Sequence, residues 1–124
     1  MNQHSSPETI IQCQLDAYNA HDLDALLATY AEDAKQFEHP GKLLADGRAQ
    51  IRERMSRRFQ DAHLQAKLIK RSVMGNIVID QEEVTRTFPE GRGVIELVAI
   101  YEVQDGLIQT SSVIFGATKL DALK

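Results

Sequence analysis

The chain has 124 residues, 43% hydrophobic and 26% charged, the proportions of one ordinary globular domain. Disordered and collagen-like classes are excluded, and so is a doubly wound dinucleotide domain with a second lobe. Fourteen Lys and Arg against 18 Asp and Glu leave a formal net charge of −4, which repels phosphate backbones and argues against nucleic acid as a partner. The longest unbroken apolar run, Leu97–Tyr101, falls far short of the ~20 residues of a membrane span, so no membrane partner is expected. The opening stretch to Pro7 has neither the basic nor the apolar part of a secretory leader. Cys13 is the single cysteine, so no internal disulfide forms, and no Cys/His spacing suggests zinc. These features predict a cytoplasmic protein without metal or redox cofactor.

From Pro7 to Asn19, Ile11, Leu15 and Tyr18 recur at the spacing of an amphipathic helix, with Ser6 as its cap and Pro7 in its first turn. After the short connector Asn19-Ala20-His21, Asp22 caps a second helix with Leu23, Leu26, Leu27 and Tyr30 on one side. Pro40-Gly41 marks a turn between Lys35–His39 and Lys42–Ala45, a short hairpin. Asp46 then caps a third helix with Ile51, Met55 and Phe59 on its apolar side. Its arginines, Arg48, Arg52, Arg54, Arg57 and Arg58, scatter around the circumference and read as a solvated surface.

After Asp61 the period changes to two. Strands are expected around Leu64–Leu68, Ile77–Thr87, Val94–Val103 and Leu107–Phe115, with Gly75-Asn76, Pro89-Glu90-Gly91 and Asp105-Gly106 as turns. The chain therefore reads as α+β, with helices on one face of an antiparallel meander. Residues 7–118 form the domain, 1–6 a flexible start and 119–124 a tail. In the longest strand Ile95, Leu97, Ala99, Tyr101 and Val103 face the helices. The opposite face carries Val98 and Ile100, and the next strand adds Ile108 and Ile114. This surface needs a cover, and a homodimer through the outer sheet face is expected.

Ala17–Ala34, Asp46–Ile51, Val78–Thr85 and Ala99–Ile108 together resemble the nuclear transport factor 2-like superfamily, which includes ketosteroid isomerases and SnoaL-like polyketide cyclases. The resemblance implies a cystatin-like cone, a curved antiparallel sheet closed by three N-terminal helices around an apolar pocket. Ketosteroid isomerases use a carboxylate base with a tyrosine and a protonated aspartate. Carried onto this chain, the base falls at Glu38 or His39, the tyrosine at Gln14, a second tyrosine at Met55 and the aspartate at Ala99. Most of that machinery is missing, so steroid isomerisation by that mechanism is not expected.

The residues themselves offer other groups. Alternation from Phe37 turns His39 inward and Glu38 outward, making His39 a candidate proton shuttle. Asp80 and Glu82 share a face with Val78 and Val84, while Ile77, Ile79 and Glu83 share the other. With Glu82 inward, two close carboxylates would keep one protonated; the competing reading pairs them with Arg71, Arg86 or helix arginines. Gln14, Tyr18 and Tyr101 point inward and can orient a ligand, while Tyr30 reads as core. Met55, Ala99 and Phe115 complete the expected ligand contacts. Without a Ser/His/Asp order or a nucleophile elbow, nucleophilic hydrolysis is disfavoured. The sequence thus predicts an acid/base enzyme of isomerase, cyclase or dehydratase type acting through His39 and Glu82 on a small hydrophobic carbonyl compound. The alternative is a non-catalytic ligand-binding or dimeric interaction module of the same fold.

Overall fold

In the computed structural model, which describes residues 6–121, helix α1 spans Pro7–Asn19 and α2 Leu23–Ala28. Ser6 accepts from the Thr9 N–H and Asp22 from the Ala25 N–H, so both caps stand where the sequence places them. Ile11, Gln14, Leu15 and Ala17 form the buried stripe of α1. The connector between the helices is pinned by His21, whose backbone is left-handed (φ 54°). Its Nε2 lies 2.8 Å from the Leu64 carbonyl and its ring stacks on Phe59.

Strand β1 (Tyr30–Glu38) starts earlier than expected and takes Tyr30 away from α2. It pairs with β2 (Lys42–Asp46) in the expected hairpin. Helix α3 (Arg48–Arg58) is not capped by Asp46, which ends β2. Gly47 is the N-cap residue without a side-chain bond, and Gln50 Oε1 instead accepts from the Asp46 N–H at 2.8 Å. The remaining strands are β3 (Gln65–Met74), β4 (Ile77–Phe88), β5 (Gly91–Gln104) and β6 (Leu107–Leu120). Asp105 (φ 53°) and Gly106 (φ 78°) both take left-handed conformations in the β5–β6 turn, as an Asp-Gly hairpin requires. β6 runs to Leu120, past the expected domain edge at 118. Positions 1–5 and 122–124 of the expected flexible start and tail lie outside the described residues.

The six strands form one sheet in the order β2-β1-β6-β5-β4-β3. All neighbours are antiparallel except β1 and β6, which run parallel, so the sheet is not the purely antiparallel meander of the sequence reading. The register slips at Gln36/Phe37, Leu68/Lys70, Ile95/Leu97 and Glu102/Val103. Such bulges bend and twist a sheet, and here they curl it around the helices. Two clusters fill the interior. Ile11, Leu26, Tyr30, Ile51 and Val103 belong to the larger, and Leu15, Leu64, Val84 and Ile95 to the smaller.

Ile95, Ala99, Tyr101 and Val103 are buried against the helices as expected, with Leu97 half-buried beside them. Ile108 does not lie on the outer face. The slip after Glu102 sets Ile108 opposite the inward Val103, and its N–H donates to the Thr29 carbonyl. Its side chain is fully buried in the larger cluster. Ile114 does face outward, opposite Val98.

Gly47 places α3 against the sheet, donating its N–H to the Ala34 carbonyl at 2.7 Å. Its φ of 91° and ψ of 158° belong to a region essentially reserved for glycine. An added Cβ would meet only ordinary contact, 3.7 Å from the Glu32 carbonyl oxygen, so the cost of substitution is conformational. Gly47→Ala is expected to lower stability by about 1–3 kcal/mol in urea denaturation, whereas Gly41→Ala, in open space, should be close to neutral.

Candidate functional site

The curled sheet leaves a cavity of about 100 Å³ between its concave face, α1 and α3. That volume exceeds the ~10–15 Å³ needed for one water several times over, so a small guest fits. Helix α1 contributes Gln14, Leu15 and Tyr18; α3 contributes Arg54, Met55 and Arg58; Leu44 comes from β2. Strands β1 and β4 add Tyr30, Gln36, Phe37, Glu82, Val84 and Arg86. Strands β5 and β6 complete the wall with residues from Leu97 to Tyr101 and from Ser111 to Phe115. All six expected ligand contacts, Gln14, Tyr18, Met55, Ala99, Tyr101 and Phe115, line this cavity, as does Glu82.

His39 does not. It is exposed in the turn after β1, with its N–H donating to the Val113 carbonyl at 2.9 Å. The inward orientation inferred from alternation fails because β1 ends at Glu38 and His39 is no longer part of the strand; the slip lies earlier, between Gln36 and Phe37. Both residues flanking the slip reach the cavity, so the inner polar group of β1 is Gln36, only 4% exposed. Neither Glu38 nor His39 lines it.

On β4 the inward set is Val78, Asp80, Glu82 and Val84, all buried. Asp80 is held by Arg71 through two parallel bonds, Nε–Oδ1 at 2.7 Å and Nη2–Oδ2 at 2.9 Å. The third nitrogen of Arg71 donates to Gln12 Oε1 at 2.8 Å, tying the pair to α1. The competing reading of a carboxylate–arginine pair therefore holds for Asp80, but in the interior. For Glu82 it does not hold: among the described residues no hydrogen bond or ion pair reaches its carboxyl. Burial, reinforced by the charge of Asp80 and opposed by Arg71, pushes the Glu82 carboxyl up to about 7.

Three tyrosine hydroxyls face the same space. Burial pushes Tyr18 up to about 12, partly offset by Arg58, and holds Tyr101 well above the usual phenol range. Both remain donors at any working pH. Tyr101 donates to Gln14 Oε1 at 3.4 Å. Tyr30 is buried core, as expected, yet its hydroxyl also borders the cavity and accepts from Gln36 Nε2 at 3.3 Å. Gln36 Oε1 in turn accepts from Arg54 Nη1 at 2.8 Å.

The solvated reading of the α3 arginines holds for only some of them. Arg52 and Arg57 form exposed pairs with Asp24 and Glu53. Arg48 donates to the Tyr30 carbonyl, while Arg54 and Arg58 are half-buried in the cavity wall. Gln36, Arg54, Arg58 and Arg86, together with Leu44, Ser111, Ser112 and Val113, are among the wall residues missed by sequence reasoning. Among the described residues no group of three or more His, Cys, Asp or Glu is placed to hold a metal ion, and no helix is long and apolar enough to cross a membrane.

Because its folded pKa lies above the ordinary value, Glu82 binds its proton more tightly in the native state. Its destabilising effect is absent below about 4.5, grows as pH rises, and is complete above about 7. Glu82→Gln should therefore match the parent in stability at about pH 4 and exceed it by on the order of 3 kcal/mol at about pH 8 in urea titrations. A pH-independent difference would show that the carboxyl titrates normally. Arg71→Ala leaves Asp80 charged, buried and unpaired, and should lower stability by about 3–5 kcal/mol at neutral pH.

The SnoaL-like domain family matches residues 11–110. No curated protein matches the chain. Among solved structures, an uncharacterised cystatin-fold protein from Novosphingobium aromaticivorans superposes with a TM-score of 0.80 at 21% identity, covering 89% of this chain and 98% of that one. SalBIII, an epoxide hydrolase/cyclase-like enzyme of pyran ring formation in the polyether salinomycin, gives 0.79 at 21% identity over 89% and 90%. An LEH-like epoxide hydrolase from M. tuberculosis gives 0.75 at 16% identity over 89% and 82%. At such identities these structures share the fold, and activity does not follow from it. With the family pattern spanning most of its length and a curved sheet like that of the cystatin-fold structures, the chain belongs to the SnoaL-like domain family of the nuclear transport factor 2-like superfamily.

Proposed function

We propose that this protein is an acid/base enzyme of isomerase, cyclase or dehydratase type, acting on a small carbonyl-containing molecule with Glu82 as the proton-handling group. One observation carries the reading. Glu82 is a buried carboxyl without a partner, facing a guest-sized cavity and titrating close to neutrality. A group with that affinity is populated in both protonation states at neutral pH, the condition for efficient general acid/base work.

In an isomerisation the Glu82 carboxylate removes a proton from the carbon next to a carbonyl, and the electron pair moves onto the carbonyl oxygen. Tyr18, held neutral, donates to that oxygen as its charge grows, while Tyr101 gives its proton to Gln14. Glu82 then returns the proton to another carbon, so no net atom or electron is gained. Burial, with the charge of the Arg71-bound Asp80 beside it, keeps the proton affinity of Glu82 high. His39 has no part in this scheme. The epoxide hydrolase descriptions of two similar structures are in keeping with small-molecule chemistry in this fold.

Gln14 and Ala99 in the cavity wall favour a second reading, a binding module without catalysis, since they stand where the isomerases are expected to carry their hydroxyl and carboxyl donors. Deuterium uptake from heavy water into cyclic β,γ-unsaturated ketones, followed by NMR, separates the two. The enzyme reading expects exchange above buffer, rising through about pH 7 as Glu82 ionises, and falling ~10²–10⁴-fold in Glu82→Gln. Exchange undiminished in Glu82→Gln overturns the role of Glu82; ketone binding without exchange in the parent supports the binding module.

The pairing expected from the sequence stays a proposal. Ile79 opposite Ile100 and Val98 opposite Ile114 form an apolar strip on the face away from the helices, and a second copy of this chain is the proposed cover. A monomeric mass in sedimentation overturns it.

A further inference from the structure

Three guanidinium groups line the cavity mouth and, among the described residues, none forms an ion pair with a carboxylate, although the charge of Asp61 acts on Arg86. Arg54 and Arg58 come from α3 and Arg86 from β4, and all are half-buried. With Leu44 they line both the cavity and an adjoining vestibule of about 470 Å³. Of the five other arginines, Arg48 donates to the Tyr30 carbonyl and four meet acids: Arg52 pairs with Asp24, Arg57 with Glu53, Arg71 with Asp80 and Arg92 with Asp121. Among the described residues none of the three has such a partner. Arg54 donates to the neutral amide oxygen of Gln36 at 2.8 Å, and the Arg86 cation lies over the Phe88 ring, 5.0 Å from its centre. Asp61 is the one carboxylate lining the vestibule. Its oxygens are already engaged by the Thr87 N–H and hydroxyl at 2.7 and 3.0 Å and by the His63 N–H at 3.0 Å.

Like charges brought together in a half-buried mouth cost stability, and burial together with the Arg58 charge lowers the proton affinity of both Arg54 and Arg86. In a chain of net charge −4 this cluster is a local reversal of sign. A bound anion would offset the repulsion, and guanidinium forks match carboxylate and phosphate oxygens in pairs. The cluster also stands in register with the reacting group. Glu82 and Arg86 are four residues apart on the same inner face of β4, so their Cα atoms are separated by roughly 13 Å.

We propose that the substrate is not purely apolar but carries an anionic head group, a carboxylate or a phosphate ester, bound in the vestibule by Arg58 and Arg86 with Arg54 behind them. Its carbonyl-bearing portion extends into the cavity toward Glu82. This placement rests on the acid/base reading for the inner end of the molecule, whereas the outer end rests on the arginines alone.

The test uses the full chain and matched probes: 4-phenylbutanoate, 2-phenylethyl phosphate and the neutral 4-phenylbutanamide, each titrated by NMR. At least one anion is expected to bind about tenfold or more tighter than the amide, the discrimination of a charge-assisted pair. The preference should shrink as sodium chloride is raised and vanish in Arg58→Gln/Arg86→Gln, with amide binding unchanged. Preference for the butanoate identifies a carboxylate head group, and preference for the phosphate an ester. Equal binding of all three probes, no saturable binding of any at millimolar concentration, or a preference that survives the double substitution overturns the proposal. Should the double variant not fold, the anion-to-amide ratio and its salt dependence in the parent decide. Glu82→Gln should keep the anion preference. An intact preference without Glu82-dependent exchange refutes the acid/base reading alone, and Glu82-dependent exchange without a preference refutes the anion site alone.

Discussion

Two carboxyl groups stand two residues apart on the inner face of β4, and a buried interior cannot hold both charged at small cost. Which of them gains an ionic partner is settled by the neighbouring strand. β3 slips by one residue between Leu68 and Lys70, and the slip sets Arg71 opposite Asp80. With an unbroken ladder Lys70 would stand there, and Arg71 would oppose the outward Ile79. The slip thus brings a planar, bidentate cation to Asp80, where a point charge would otherwise sit. Asp80 accepts both bonds of Arg71, while among the described residues no such partner reaches Glu82, whose proton affinity is raised by burial first and by the charge of Asp80 second. A packing irregularity in an edge strand therefore decides which of the two carboxyls is paired.

The same kind of irregularity decides what the sequence could and could not reveal. β4 and β5 pair from Ile77–Glu102 to Phe88–Gly91 without a break. Period-two reasoning applies there: it placed Ala99 and Tyr101 toward the helices from the sequence alone and put Asp80 and Glu82 on one face, while apolar residues on both faces of β4 left open whether Glu82 or Glu83 turns inward. On β1 the slip after Gln36 hid Gln36 from alternation reasoning, and the strand ends at Glu38, so His39 was assigned a strand orientation it does not have. On β6 the slip opposite Glu102/Val103 buries Ile108, which alternation had sent to the outer face. A bulge adds one residue without a residue type of its own to announce it, so the errors of orientation fall at bulges and at a strand end and not at random.

The arginines of α3 teach a different lesson. Ile51, Arg54, Met55 and Arg58 follow the spacing of a single helical stripe, and the structure puts Arg54, Met55 and Arg58 on the cavity wall. The pattern was present in the sequence. It was obscured by the rule that arginine belongs in solvent, which describes Arg52 and Arg57 but ignores how a long side chain packs its stem while its head reaches a wet mouth. Where an arginine shares the stripe of buried neighbours, spacing is the better guide than residue type.

Read from the interior outward, the inner face of β4 carries a paired charge at Asp80, a proton-binding group at Glu82, an apolar spacer at Val84 and a cation at Arg86. The groups that set the acidity of Glu82 are burial, Asp80 and Arg71, all at the inner end. The arginines of the mouth shift Tyr18 and one another, but they are not among the charges that act on Glu82. Proton affinity and the proposed charge recognition therefore rest on separate residues, the first on β4 and β3 and the second on α3 and β4, with Val84 between Glu82 and Arg86. Substitutions at the mouth can alter which ligand charge is accepted while the carboxyl keeps its acidity. That independence is what allows a fold of this size to change its guest without rebuilding its chemistry.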